Sequence, residues 1–124
     1  MAQSSSACQT LSQLAYLLLA QEYPNRAAVL YGALHVMEPD VNSHLRGLAL
    51  AQSEAGRPAE SLAALDKLAL RGQVDVPFYM LRARVLVDLK RPQEAQAVMK
   101  AGLERYRASG RPAAVAAKAR ETAR

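Results

Sequence analysis

The sequence is poor in cysteine and in aromatic residues, and both shortages restrict what it can form. Its only cysteine, Cys8, excludes an intramolecular disulfide, so a reducing compartment, the cytoplasm, is the expected location. Aromatic residues make up 5% of the 124 residues, with no tryptophan, although 51% are hydrophobic. The core must therefore consist mainly of leucine, alanine and valine, a mixture that favours helices over sheets.

Long apolar runs are also missing. The longest candidate, residues 14–20, is far shorter than the roughly 20 residues that a membrane-spanning helix needs, so we expect it to be a buried helix. A secretory signal peptide would carry basic residues ahead of such a run, and residues 1–13 contain no lysine or arginine. Neither membrane insertion nor export is expected.

Signatures of catalysis and metal binding are absent as well. There is no glycine-rich phosphate loop, no His-Glu-x-x-His helix and no nucleophile elbow. His35 and His44 lack a nearby cysteine that would complete a zinc site. His35 is expected on the surface of a helix, and His44 is expected to be an ordinary residue in the first turn of a helix. Glu60 and Glu94 fit exposed acids in the first turns of helices, where the helix dipole favours them. We therefore expect no catalytic residue, no metal, no cofactor and no enzymatic activity.

The chain does contain an internal repeat. Pro24, Pro58 and Pro92 lie 34 residues apart, and each is expected in the first turn of a helix, where proline is tolerated. The same spacing relates other positions: Ala15, Ala49 and Ala83; Ala27, Ser61 and Ala95; Leu11, Leu45 and Tyr79; Leu18, Gln52 and Leu86. Small residues mostly remain small and large ones large, as closely crossing helices require.

The repeat predicts an all-α chain of three helical hairpins. The expected helices span residues 9–21, 25–37, 43–55, 58–70, 77–89 and 92–106. Around the small crossing residues we expect a core of Leu14, Leu18, Tyr31, Leu34, Leu48, Leu65, Leu68, Leu86 and Met99. Arg82 and Gly102 stand where large apolar residues are expected, which predicts looser packing in the third hairpin.

A chain of this length fits one domain. The repeats occupy residues 8–41, 42–75 and 76–109, after an N-terminus at 1–7 that is expected to be disordered. Residues 110–124 are rich in alanine, with Val115 as their only large apolar residue. They fit either a short capping helix or a frayed tail.

The first repeat resembles the tetratricopeptide (TPR) consensus, and the likeness extends over residues 8–109. The residues that carry it are Leu11, Leu14, Ala15, Leu18, Ala27, Tyr31 and Pro39. The resemblance implies a short right-handed solenoid that binds other proteins. Carboxylate-clamp TPR domains use a Lys/Asn/Arg clamp, whereas this chain has Ser12 and Tyr16 at corresponding positions, which argues against a heat-shock-protein cochaperone.

In a stacked solenoid the first helix of each hairpin lines the concave side. Helical spacing predicts that Ser12, Tyr16, Leu19, Arg46, Leu50, Ser53, Met80, Arg84 and Val87 face this groove. The apolar members form a stripe that suits an amphipathic or apolar partner helix, and the two arginines could pair with acidic groups on it. Two alternatives are that the protein's own tail covers the stripe and that a helical phase one residue off makes these positions core.

Residues 11–70 also resemble small TPR-type chaperones of bacterial type III secretion, particularly the YscY-type proteins. Similar stretches are residues 26–34 and 56–62. The resemblance implies a bacterial cytoplasmic chaperone for protein transport that cradles a helix of a secretion substrate or export-apparatus component. An unoccupied groove could instead pair two copies in a homodimer.

Charge leaves other partners open. Residues 1–56 carry two basic and four acidic residues, a net charge of −2, whereas residues 57–124 carry fourteen and seven, a net charge of +7. A basic half is compatible with nucleic acid, but few aromatic residues are available there for stacking bases. A general adaptor subunit in a multiprotein assembly is the main alternative to a dedicated chaperone.

Overall fold

The computed structural model describes residues 6–109, and within them it contains six α-helices and no strand. The helices are α1 (Ser6–Ala20), α2 (Pro24–Met37), α3 (Asn42–Glu54), α4 (Pro58–Leu70), α5 (Val76–Asp88) and α6 (Pro92–Ala108). The predicted all-α class is confirmed, and every helix begins and ends within about three residues of its predicted range. Helix α1 begins inside the segment 1–7 that was expected to be disordered, while residues 1–5 and the expected capping helix or tail at 110–124 lie outside the described residues.

The chain divides into two compact units. The first, Met1–Gln73, contains α1 to α4, and the second, Val74–Arg124, contains α5 and α6. In the first unit each helix packs against the next, and α1 also contacts α3; in the second unit α5 packs against α6. Three-residue connections join α1 to α2, α3 to α4 and α5 to α6, and such short connections make each pair a helical hairpin.

The three periodic prolines each begin the second helix of a hairpin, as predicted. Pro24, Pro58 and Pro92 are the first residues of α2, α4 and α6. The first turn of a helix has backbone N–H groups without an intrahelical acceptor, so proline loses no hydrogen bond there. The prolines therefore mark where each second helix starts.

The 34-residue repeat is also present in the backbone of the hairpin turns. Glu22, Gly56 and Lys90 all adopt left-handed conformations, with φ of 67°, 75° and 63°. The amide that follows each of them donates to a carbonyl near the end of the preceding helix: Tyr23 N to Leu18 O (2.8 Å), Arg57 N to Gln52 O (2.9 Å) and Arg91 N to Leu86 O (2.9 Å). This is the Schellman pattern of helix termination, and among these three hairpin turns only the one at Gly56 uses glycine.

The small residues predicted at the helix crossings are all buried: Ala15, Ala27, Ala49, Ser61, Ala83 and Ala95. A large side chain at these positions would hold the two helices of a hairpin apart. At Ser61 the hydroxyl adds a hydrogen bond of 2.7 Å to the Ala49 carbonyl. The prediction of small crossing residues is therefore confirmed.

Most of the predicted large core residues of the first unit are buried, with one error. Tyr31, Leu34, Leu65 and Leu68 are buried, and Leu18 and Leu48 pack partly buried against the core. Leu14, by contrast, is 45% exposed. Its equivalent in the second hairpin, Leu48, packs against core residues of α1 and α2, but no described helix precedes α1 to cover Leu14 in the same way.

In the second unit, a glycine stands at a position where a large apolar residue was expected, and it lets the two helices approach closely. Gly102 is buried against Tyr79, and a Cβ atom added to Gly102 would lie 2.8 Å from the Tyr79 Cβ. Arg82, the other unexpected residue, extends its guanidinium over the Phe78 ring at 5.8 Å from the centroid, a cation–π geometry. Leu86 is buried as predicted, whereas Met99 was predicted to be core and is exposed.

Candidate functional site

The apolar side chains predicted to line a groove occur in both units. In the first unit Tyr16, Leu19 and Leu50 line one open depression of about 380 Å³, together with Glu22 and Glu54. Tyr16 and Leu50 are exposed, while Leu19 is partly buried and packs against the core cluster. Helices α1 and α3 thus present apolar groups of the predicted stripe to one shared depression.

The polar residues predicted for the same stripe behave differently. Ser53 is buried, so its predicted exposure to a groove is wrong. It lies on the packed side of α3, as do Leu45 and Ala49, which are also buried on that helix. Ser12 is partly buried and lines a neighbouring depression with Tyr16. Arg46 is partly buried on α3, one turn before Leu50.

The second unit has its own apolar surface, which we call the α5–α6 face. Its large side chains are Met80 and Val87 from α5 and Met99 and Leu103 from α6, exposed by 53%, 56%, 37% and 49%. They surround an open depression of about 630 Å³. The buried crossing residues Ala83 and Ala95 also line this depression. The remaining lining groups include Arg84 and Lys100.

Met80, Arg84 and Val87 all line this depression, but the contribution of α6 to it was not predicted. Met99 was expected in the core, and the sequence pattern did not place Leu103 at a binding surface. The wrong prediction for Met99 can be understood from the repeat, because Met99 occupies the same repeat position as Tyr31 in the first hairpin. Tyr31 is buried because its ring lies against Gly47 of α3, a helix that follows the first hairpin within the same unit. The segment that follows the α5–α6 hairpin in the chain is residues 110–124, which lie outside the described residues.

The electrostatics of the two units differ in sign. Residues 1–73 contain five basic and six acidic residues, a net charge of −1, whereas residues 74–124 contain eleven and five, a net charge of +6. The predicted guest-binding arginines, Arg46 and Arg84, already take part in interactions within the chain. Lys100 is exposed and lines the α5–α6 face. An acidic ligand is thus favoured by the second unit and not by the first.

The two histidines lie near the α2–α3 connection. His44 was expected to be an ordinary residue of a first helical turn, but it is buried, and its Nε2 lies 2.7 Å from Oε1 of Glu38. His35 is partly buried; burial, followed by the positive charges of Lys67 and Arg71, lowers the pKa of its imidazole. Within residues 6–109 no three His, Cys, Asp or Glu side chains are grouped closely enough to hold a metal ion.

The other reactive or ionisable residues singled out in the sequence, Cys8, Glu60 and Glu94, lie in the core or at helix starts. Cys8 is buried in the core cluster of the first unit. Glu60 and Glu94 lie exposed in the first turns of α4 and α6, as predicted, and each pairs with an arginine three residues earlier, Arg57 and Arg91. The Arg91 guanidinium lowers the pKa of the Glu94 carboxyl. These equivalent pairs belong to the repeat and lie at the starts of separate helices.

No protein-family model matches this sequence, and no curated protein is significantly similar to it. Among residues 6–109, no helix combines the length and the apolar character required to cross a bilayer.

Proposed function

We propose that this protein is a TPR-type chaperone that binds an apolar or amphipathic helical segment of another protein and keeps it from aggregating. In this proposal the three hairpins are tetratricopeptide repeats of a right-handed solenoid. The observation that carries the proposal is the exposure of large apolar side chains in both units: Tyr16 and Leu50, which line one depression in the first, and Met80 and Val87, which lie on one helix in the second. Contiguous exposed apolar side chains are typical of protein interaction sites.

The geometry of these side chains suits a helical partner. Met80 and Val87 lie two turns apart on α5, so both occupy the same side of that helix. Tyr16 and Leu50 come from two helices and meet at one depression. A helix that inserts apolar side chains at positions i, i+3, i+4 and i+7 could use such surfaces, which is the usual way that amphipathic helices enter apolar grooves.

The dedicated role in type III secretion rests on the resemblance of residues 11–70 to YscY-type chaperones. It assigns the protein to the bacterial cytoplasm and one secretion substrate or export-apparatus component to each chaperone. Exposed apolar residues such as Tyr16 and Leu50 are compatible with this role, because an unoccupied binding surface must remain available to its client. The proposal includes no catalytic step and no cofactor.

The proposal is tested by purifying the native protein from its host at moderate salt, identifying bound proteins by mass spectrometry and measuring their stoichiometry. One secretion-related protein at an equimolar ratio is the expected result. Many partners would indicate a general adaptor instead, and RNA alone would indicate nucleic-acid binding.

A pair of matched variants then tests the surface. Leu50→Asp should abolish partner binding while circular dichroism remains helical, because a charge replaces an exposed apolar contact. Leu70→Asp is the control, since Leu70 is also exposed and apolar but is the last residue of α4. Retained binding by Leu50→Asp would remove the α1–α3 depression from the proposal.

A further inference from the structure

The α5–α6 face and the lysine on its edge define a more specific binding site. We propose that this face binds an amphipathic helix whose apolar side is flanked by acidic residues. The inference rests on the proposed function, because it names the chemistry of the bound protein segment and where it docks.

The first unit indicates what kind of element occupies such a face. Ala15, Ala27 and Tyr31 of the α1–α2 hairpin are the repeat equivalents of Ala83, Ala95 and Met99. All three are buried, and helix α3 lies against α2. The Tyr31 ring sits where a side chain at Gly47 would be, and the Leu48 side chain joins the same core. A hairpin of this repeat therefore accepts a helix on its open side.

In the second unit, the corresponding face consists of large apolar side chains around a small-residue floor. Met80, Val87, Met99 and Leu103 are each between about one third and three fifths exposed, while Ala83 and Ala95 lie almost completely buried at the crossing. Docking a helix there would remove four large apolar side chains from water. Burial of each such side chain favours association, so the occupant needs a complementary row of large apolar residues.

Charge selects among occupants that satisfy this requirement. Lys100 lines the face, and residues 74–124 carry a net charge of +6. A second copy docked face to face would bring two such units together, since a two-fold interface places the same patch on both sides. Like charges across an interface oppose association, whereas acidic flanks on the occupant are attracted to the same lysine.

The protein's own residues 110–124 match the face poorly in sequence. They contain four basic residues and one acidic residue, a net charge of +3, and Val115 is their only large apolar residue. They would therefore bring a like charge and a single large apolar group to a face with four apolar side chains. A separate acidic, leucine-rich helix fits both properties.

The test uses two synthetic amphipathic helices of about 18 residues, long enough to form measurable helix in water. Both carry the same leucines on one side, and their polar positions are glutamate in one peptide and lysine in the other. Binding of each labelled peptide to the full-length protein is measured by fluorescence anisotropy at low and moderate salt. The glutamate peptide should bind at least about tenfold more tightly, with a difference that decreases as salt is added.

Four variants locate the site. Met99→Asp and Leu103→Asp should each weaken binding of the glutamate peptide by about tenfold or more, because each places a carboxylate within the apolar contact. Lys100→Glu should reduce or reverse the preference between the peptides without changing helix content. Leu70→Asp, an exposed apolar position in the first unit, should change nothing. Circular dichroism of each variant must remain helical.

Several outcomes would overturn the inference. Equal affinity for both peptides, or full binding by both Met99→Asp and Leu103→Asp, would show that this face does not select acidic helices. If the Val115→Asp variant binds the glutamate peptide more tightly than the wild type does, the protein's own tail is the occupant of the face. If the wild type is a dimer and Met99→Asp dissociates it, the occupant is a second copy of the chain. An RNA oligonucleotide could also displace the glutamate peptide. If the affinity for that RNA is the same in Met99→Asp as in the wild type, the cationic unit binds nucleic acid and not an apolar helix.

The same variants separate this inference from the proposed function. A native partner that is retained by Met99→Asp and Lys100→Glu but lost by Leu50→Asp would leave the chaperone proposal standing and reject the α5–α6 face. Failure of the native protein to hold any protein partner would reject the chaperone proposal, whatever the synthetic peptides do.

Discussion

The Ser61 hydroxyl donates a hydrogen bond of 2.7 Å to the main-chain carbonyl of Ala49, and both residues are completely buried where α3 crosses α4. Ser61 is the one polar member of the set of small crossing residues, which otherwise consists of alanine. Its size permits the close crossing, and its hydroxyl finds an acceptor on the partner helix instead of remaining unsatisfied in the core.

We predict that Ser61→Ala costs about 1 kcal/mol of the free energy of unfolding, because it removes this hydrogen bond while keeping the small side chain. Ser61→Leu should cost more, on the order of 2–3 kcal/mol, because a larger group must push the two helices apart. Urea unfolding measures both, with the exposed Ser43→Ala on α3 as control. A Ser61→Leu protein as stable as the wild type would show that the crossing is not tightly packed.

Glycine should stabilise the hairpin turns that now lack it. Lys90 and Glu22 hold the left-handed conformation that Gly56 holds in the equivalent turn. We expect Lys90→Gly and Glu22→Gly each to raise the free energy of unfolding by about 0.5–1 kcal/mol, because glycine adopts positive φ without a steric cost. Lys90→Ala is the control for loss of the lysine side chain and should give no such gain. Equal effects of Lys90→Gly and Lys90→Ala would contradict the explanation.

Two helical glycines should respond in opposite ways to the same substitution. A Cβ at Gly102 would lie 2.8 Å from the Tyr79 Cβ, which is attached directly to the backbone and cannot move aside. Gly102→Ala should therefore lower the free energy of unfolding by about 1–2 kcal/mol despite the better helix propensity of alanine.

Gly32→Ala is the matched comparison. Its added Cβ would meet only the Leu48 Cδ1 at 3.9 Å, an ordinary contact distance. We expect a gain of about 0.5–1 kcal/mol from helix propensity. Thermal unfolding of the two variants should shift in opposite directions, and a common direction would show that the Tyr79–Gly102 contact does not limit packing.

Protonation of His35 should destabilise the fold. Burial, with the charges of Lys67, Arg71 and His44, lowers the pKa of His35 in the folded protein below its ordinary value of about 6.5. As the pH falls below that value, the unfolded chain therefore binds the proton first. The stability contribution of neutral His35 is present above about pH 6.5 and is lost as the pH falls through the folded pKa.

We expect His35→Gln to show a weaker loss of stability than the wild type between about pH 6.5 and 5, measured by urea unfolding at each pH. At about pH 8, where the imidazole is neutral in both states, the two proteins should differ little in pH dependence. Parallel stability curves through the acidic range would show that His35 does not contribute to the acid sensitivity.

Much of the fold was predictable because it depends on local chemistry repeated along the chain. Pro24, Pro58 and Pro92 can begin helices but cannot continue one from the preceding residue, so their spacing alone locates three helix starts. The small residues of the crossings followed from the same period, since close helix packing tolerates only short side chains there.

The surface residues were harder to predict. Ser53 and Val87 occupy equivalent repeat positions, yet Ser53 is buried and Val87 is exposed. Likewise Tyr31 and Met99 are equivalent, and within residues 6–109 a following helix covers Tyr31 but none covers Met99. A sequence repeat predicts the same local helix geometry in each copy, but it does not predict which other helix packs against each copy.

The sequence by itself determined the helices and the small residues at their crossings, because proline, alanine and the hydrophobic period act through neighbours a few residues away. Only the tertiary structure decided that Leu14 is exposed, that Ser53 is buried and that Met99 and Leu103 join Met80 and Val87 on one face. Burial depends on whether another helix covers a given side, and that is a property of packing between distant parts of the chain.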